Sequence, residues 1–424
     1  MMIKKILVLA CLLSLSSGAE TNNKSNWHEV LDAVALAHLP TPQLDFAQLW
    51  NHGLGQPASN SQLTAIDHAT QTLQKHSPAN ACQQVFHSAA SLALQAHKLR
   101  LQLLSEPQSG VTYQGSVHQL PDGDQWYRYL TMWWLGEDLS ADHLYAVGEQ
   151  TFTKAITQYR QVSDESAIPP MAVIRSADER AILEHYQDTQ ELLMNHLKLM
   201  FIPTDQIAPL HTARSTMGAD FPAPGYYNSA QHTMYYHPLT EDYELRQVDW
   251  LFLHEGIPGH HYQSQVAQHH SHCQLPNLSQ GQMAFVEGWA AYAETLGRSL
   301  GLYRHPDSQR FALKWEALRA MRVMIDVGIH ARGWSIEQAQ MHWRSHFPEG
   351  TDVMNREIER IKRWPMQVNT YVYGKHRIEQ LKQQLQNKAD FNLRTFHQNI
   401  LTISHLPIST LNHYQQLFTF QEQP

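Results

Sequence analysis

The chain has 424 residues, 42% of them hydrophobic and 17% charged, a balance that reads as globular and excludes both a disordered polymer and a multi-span membrane protein. The formal charge of −8 at pH 7, with no basic run or stripe, argues against nucleic acid as a partner. Length alone allows two or three domains, and 28 histidines track metal chemistry only loosely.

The N-terminus reads as an export signal over residues 1–19. Lys4-Lys5 supply the positive region, Ile6 through Leu15 the apolar one, and Ser17-Gly18-Ala19 small residues before Glu20. The apolar run is too short for a permanent span. Periplasmic or secreted placement is therefore expected. A rival reading takes Val8-Leu9-Ala10-Cys11 as a lipoprotein box, with Cys11 carrying a membrane anchor. After cleavage before Glu20 only Cys82 and Cys273 remain, which could pair or stay as separate buried thiols.

Helical periodicity dominates the rest, residues 20–424, read as one mainly α unit built as one lobe or as two with a cleft between them. Helices are expected over 79–106, from Ser140 towards Arg160, and from a capping box at Ser176-Ala177-Asp178-Glu179 to about Met200. Trp126 to Trp134 is an aromatic-rich core stretch. Tyr226-Tyr227-Asn228 and Thr233-Met234-Tyr235-Tyr236 flank Ser229-Ala230-Gln231-His232 as a small hairpin. Such an edge, Tyr227 included, could pair with an extended peptide substrate or merely brace the helices. Further helices are expected from near Glu244 into the motif below, then over 282–301, 307–331, 336–345, 352–363 and 366–388. No repeat, low-complexity tract or long linker intervenes.

The chemistry concentrates in Leu253-His254-Glu255-Gly256-Ile257-Pro258-Gly259-His260-His261. It nearly spells His-Glu-x-x-His, in which two histidines four apart share a helix face and bind one Zn²⁺. Here the fourth position after His254 is Pro258. On a regular helix His254 and His260 diverge by roughly 240°, while His254 and His261 lie about 10 Å apart along the axis. Pro258-Gly259 can relieve this by a bulge or break, which selects His260 as second ligand with His261 as fallback. Glu287, in Phe285-Val286-Glu287-Gly288-Trp289-Ala290-Ala291-Tyr292-Ala293-Glu294, suits a third ligand, and Glu294 shares its helix face. Two histidines, a carboxylate and a water make a catalytic zinc site, with Glu255 as the acid/base. His269-His270-Ser271-His272-Cys273 reads as a solvated loop. Nucleophile-elbow, phosphate-loop and dinucleotide signatures are missing.

The motif, the Glu287–Glu294 block, Asp326-Val327-Gly328-Ile329-His330 with Gly333-Trp334, and Arg360 with Pro365-Met366-Gln367, Tyr371 and Gly374 together resemble the bacterial family called domain of unknown function 885. These blocks cover roughly residues 225–380. The resemblance implies a helical fold of the His-Glu zinc-metallopeptidase kind and lipoprotein or periplasmic placement, with no known substrate. It implies His254, His260 and Glu287 as ligands of one Zn²⁺, Glu255 as acid/base, and His330 and Tyr371 as oxyanion donors. Arg360 becomes a candidate contact for a substrate carboxylate. Met366 stands where the family pattern leads one to expect glycine. The expected activity is hydrolysis of short peptides; the alternative is a binding or assembly protein that keeps the fold without turnover.

Overall fold

The computed structural model describes residues 17–418, apart from residues 38, 40–45, 47–58, 106–110, 165–169, 204–206, 219–220, 222, 277, 279 and 349–350. The expected leader and Cys11 therefore lie outside the described residues up to position 16, and Ser17 opens the first helix.

The architecture is mainly helical, with two small sheets. Helices α1 (Ser17–Leu36), α2 (Asn60–Lys75) and α3 (Ala81–Ser105) precede the aromatic helix α4 (Gly123–Leu135), whose Trp126, Trp133 and Trp134 are buried. Helix α5 (Ala141–Asp164) follows, begun by a hydrogen bond from the His143 amide to Ser140 Oγ at 3.2 Å. Helix α6 (Glu179–Leu197) starts later than its sequence suggests. Asp178 is the cap, accepting from the Ala181 amide at 3.3 Å, while the Ser176 amide bonds the Glu241 carbonyl at 2.8 Å in the preceding loop.

The expected hairpin forms from β3 (Gly225–Asn228) and β4 (Thr233–Tyr236), with Tyr226 opposite Tyr235. Asn228 Oδ1 accepts from the Ala230 and Gln231 amides and shapes the turn. Strand β2 (His211–Arg214) joins β4 in parallel, so the order β2-β4-β3 leaves β3 as an outer strand. The second sheet pairs β1 (Val173–Arg175) with β5 (Asp242–Glu244).

The motif region then divides into α7 (Val248–Glu255) and α8 (His260–His269). Helices α9 (Gln282–Glu294), α10 (Pro306–His330), α11 (Ile336–His346), α12 (Thr351–Arg363), α13 (Asn369–Leu385), α14 (Leu393–Thr402) and the short α15 (Tyr414–Phe418) complete the order. Helix α9 stops at Glu294 and a separate 3₁₀ turn spans Gly297–Leu300, where the periodicity suggested one helix to residue 301.

Two packings position the site. Helix α9 crosses α13 at Gly288 and Gly374, so closely that a Cβ on Gly288 would lie 2.4 Å from the Gly374 backbone. Helix α10 runs buried on all sides from Ala317 to His330 and packs along α5, where Gly148 meets Val323. Cys82, on α3, forms a disulfide with Cys273, tying that helix to the loop after α8. His272 adjoins these sulfurs, but they are bonded to each other and offer no thiolate.

Candidate metal centre

Helix α7 ends where the motif inserts its extra residues. Gly256 adopts φ −101° and ψ −115°, the Ile257–Pro258 peptide is cis, and α8 restarts at His260. The expected bulge is therefore a full break between two helices. Pro258 cannot extend the amide ladder, and its carbonyl instead accepts from Trp289 Nε1 at 2.7 Å. Gly259 is required by space: a Cβ there would lie 2.0 Å from the His254 carbonyl and 2.3 Å from that of Leu253. The break folds the chain back so that His260, at the head of α8, faces His254, at the end of α7. Their ring centroids are 4.8 Å apart.

Glu287 completes the group from α9. Its Oε2 lies 3.5 Å from His254 Nε2 and 3.5 Å from His260 Nε2, and it is buried without a hydrogen-bond partner. Glu255 Oε1 sits 4.0 Å from His254 Nε2. His254, Glu255 and His260 can bring their ligand atoms within 4.8 Å of one another. Donors bound tetrahedrally to zinc at about 2.1 Å are about 3.4 Å apart, so the two histidine–carboxylate separations match that edge. These residues fit a cation.

His254 is held from behind. Its Nδ1 donates to Glu294 Oε1 at 2.7 Å, and Arg319 Nη1 donates to both oxygens of Glu294, at 2.5 and 2.7 Å. That bond fixes the tautomer and leaves Nε2 free as a ligand. Burial opposes charge on His254. Glu255, the Glu287 carboxylate 3.5 Å away and the bond to Glu294 overcome it and raise its pKa to about 9. Burial likewise opposes ionisation of Glu287, but His254 and His260, each 3.5 Å from its Oε2, hold it far below the ordinary carboxylate value. A proton on His254 thus meets an electrostatic demand that a cation would also meet.

His261 points elsewhere. Its Nε2 donates to the Ala208 carbonyl at 2.8 Å, which makes Nδ1 the acceptor of the Tyr227 hydroxyl at 3.0 Å. Burial lowers its pKa to about 4. Of the two adjacent histidines, His260 is the one facing Glu287.

A cavity of about 460 Å³ opens on these groups. Gly225, Tyr226 and Tyr227 of the outer strand line one side, Trp250, Trp315 and Trp364 give apolar wall, and Arg319, Arg322, Arg360 and Tyr371 form a cationic wall. Tyr371 stacks on His254 with centroids 6.2 Å apart. Burial and then Glu287 raise its phenol pKa, opposed by Arg360, Arg322 and Arg319, so the hydroxyl keeps its proton at neutral pH. Arg360 Nη2 donates to Gln367 Oε1 at 2.9 Å and Tyr371 Oη at 3.4 Å.

His330 does not reach this cavity. It is fully buried, its Nδ1 accepts from the Val117 amide at 3.2 Å, and its Nε2 donates to the Ile361 carbonyl at 3.0 Å. The expected oxyanion donor is instead a brace between α10, α12 and the 3₁₀ turn Val117–Gln119. Asp326, one helical turn earlier, accepts from Tyr127 Oη, the Met366 amide and Asn369 Nδ2. Met366 has φ +72°, the left-handed region in which glycine is least strained, which explains the glycine expected there. The Asp326 bond to its amide holds that turn, and the turn sets the start of α13 and Tyr371.

The partners Glu294, Arg319 and Arg322 were not singled out by the motif. Glu294 had a sequence signal in sharing a face with Glu287; the arginines had only their place on an otherwise apolar helix.

The model of a family described as bacterial protein of unknown function (DUF885) matches residues 40–413. The chain belongs to this family. Two solved structures resemble this DUF885 protein across nearly all its length. A candidate lipoprotein from Colwellia psychrerythraea matches at TM-score 0.62 and 18% identity, over 94% of this chain and 71% of its own. One of unknown function from Shewanella oneidensis matches at TM-score 0.56 and 18% identity, over 95% and 78% respectively. These likenesses establish a shared fold. No curated protein matches the DUF885 chain.

Proposed function

We propose that this protein is an exported zinc-dependent hydrolase, a metallopeptidase acting on short peptides. The observation that carries the reading is Glu287 Oε2, buried, otherwise unpartnered, and 3.5 Å from the Nε2 atoms of both His254 and His260. His254, His260 and Glu287 would hold the ion, and their nitrogen and carboxylate donors suit zinc. When bound, zinc lowers the pKa of water to about 7 and polarises a carbonyl, which makes hydrolysis at neutral pH accessible.

The chain's own groups supply the rest. Glu255, held at the end of α7, takes a proton from the attacking water and delivers it to the departing amine. Tyr371 accepts from Arg360, which leaves its phenolic hydrogen free to donate to the oxyanion that develops. The outer edge of β3 offers backbone groups for an extended substrate beside the ion site, and the Tyr227–His261 bond steadies that strand against α8. Export is supported by the leader pattern of residues 1–19 and by the lipoprotein description of the Colwellia and Shewanella proteins. Among the described residues no helix is long and apolar enough to cross a membrane.

The test is metal analysis of the purified protein together with digestion of a peptide library by wild type and Glu255→Gln. Stoichiometric zinc with cleavage abolished by the substitution is expected. Bound zinc with no peptide cleaved by wild type would replace this reading with that of a non-catalytic binding protein.

A further inference from the structure

The arginines of the cavity's cationic wall keep donors that the neighbouring carboxylates do not bond. Arg319 is engaged by Glu294, and Arg322 Nη1 donates to Glu357 Oε2 at 3.1 Å. Arg360 has no ion pair within 4.0 Å among the described residues; Glu357 and Glu287 act on it only from farther off, and its Nη2 bonds reach Gln367 and Tyr371. The Nε atoms of Arg322 and Arg360 are both buried without a hydrogen-bond partner. Glu287 faces the two histidines, and Glu255 lies beside His254. A buried guanidinium with unused donors is costly unless an anion meets it, and its planar fork matches a carboxylate.

Position decides which anion. Arg319 and Arg322 lie 5.1 and 5.2 Å from the Tyr371 ring centre, and that ring stacks on His254 at 6.2 Å. The span from ion site to arginines is thus at most about three residues of extended chain. On the other side of His260 and Tyr227 lies a second, more polar cavity of about 610 Å³, lined by Ser229, Gln263, Ser264 and Gln268. The ion site stands between a short arginine-ended chamber and a roomier polar one.

We infer that Arg360 and Arg322 receive the C-terminal carboxylate of a peptide, so that the site removes one to three residues from the C-terminal end. The inference rests on the hydrolase reading above. The residue before that carboxylate meets Trp364 and Trp315, which favours an aromatic or apolar side chain. The reaction is ordinary hydrolysis. Water adds its oxygen to the scissile carbonyl, the C–N bond breaks, and Glu255 passes the water's proton to the released amine. The shortened peptide leaves with a new carboxylate.

The test is calorimetric binding of N-acetyl-Ala-Phe and its C-terminal amide to the full-length Glu255→Gln protein, with wild-type cleavage of longer acid and amide peptides alongside. The acid should bind at least tenfold more tightly than the amide. Arg360→Gln should erase that difference and Arg360→Lys should restore part of it, with melting temperature checked for both. Equal binding of acid and amide, or equal cleavage of acid and amidated peptides, would overturn the inference and leave the hydrolase reading standing. Acid-selective binding without cleavage of any peptide would sink the hydrolase reading, and exopeptidase action with it, while the carboxylate receptor survived. The acid–amide comparison needs no arginine variant, so misfolding of one would not shield the inference.

Discussion

Replacing Gly259 by alanine tests whether the helix break builds the ion site. The added Cβ would lie 2.0 Å from the His254 carbonyl and 2.3 Å from that of Leu253, where an ordinary contact is about 3.4 Å. Both obstacles are backbone, so no rotamer change relieves them, and the turn must open by roughly 1 Å. Overpacking of this kind costs about 1–3 kcal/mol, and a rigid backbone obstacle argues for the upper end. In a chain of 424 residues, ~3 kcal/mol moves the melting temperature by only about 3–4 °C. The metal is the more sensitive reporter, because the carbonyl that must move belongs to His254 itself. A misplacement of ~1 Å between His254 and His260 should weaken zinc binding at least tenfold, read by competition with a chromophoric chelator. Gly148→Ala is the control. Its Cβ would meet Val323 at 3.1 Å on α10, which carries none of the three ion ligands, and should leave zinc affinity unchanged. Wild-type zinc affinity in Gly259→Ala, with an unshifted melt, would refute the idea that this close approach sets the ligand geometry.

Glu294→Gln keeps the shape behind His254 but removes the negative charge that accepts its Nδ1–H, and zinc affinity should fall about 10–100-fold in the same chelator assay. His330→Ala should leave kcat on a cleavable peptide within about threefold of wild type yet cost ~2–4 kcal/mol in urea unfolding, because the Val117 amide and Ile361 carbonyl lose their partner. A large kcat loss at unchanged stability would return His330 to the chemistry. Buried His397 bonds Met200 and Tyr292, and burial lowers its pKa to about 4 against 6.5 unfolded. Since the unfolded chain takes up the proton first, its stabilising share is full above pH 6.5 and lost as pH falls towards 4, a change of at most ~3 kcal/mol. Urea melts at pH 7.5 and 4.5 should show a smaller drop in His397→Gln than in wild type, and parallel drops would remove His397 as a cause.

Much of the helix pattern was readable because burial imposes its period on the sequence. Helices α3, α10, α11 and α12 lie within two residues of where their apolar stripes placed them. The errors arose where a tertiary partner outbid a local signal. Ser176 lost its capping role to Asp178, and the helix running on from Glu287 stopped at Glu294 because Gly297 packs against Tyr303 and Leu253. The parallel pairing of β2 with β4 had no local signature, since a long-range strand pair leaves none. Tyr371 and Arg360 reach the cavity as their block suggested. His330 does not: its place on α10 beside Asp326 was legible, whereas its burial against Val117 and Ile361 depends on contacts from distant parts of the chain.

Helix α10 shows why site and scaffold were hard to separate in sequence. Arg319, Arg322, Asp326 and His330 follow one another at intervals of three and four, so they form one stripe along a helix otherwise sunk in apolar surroundings. Burying each requires a partner, and the partners differ by depth: Glu294 behind His254, Glu357 at the cavity wall, the Met366 turn, then two backbone groups. The first steadies an ion ligand, the second leaves a cavity-lining guanidinium with its Nε unbonded, the third sets the start of α13 and so Tyr371, and the fourth only holds elements together. A single polar stripe therefore grades from chemistry to architecture over twelve residues, Arg319 to His330, and residue type alone does not mark where one gives way to the other. What marks it is whether a side chain both lines the cavity and keeps a donor or acceptor unbonded. By that criterion Arg322 belongs with the site and His330 with the frame.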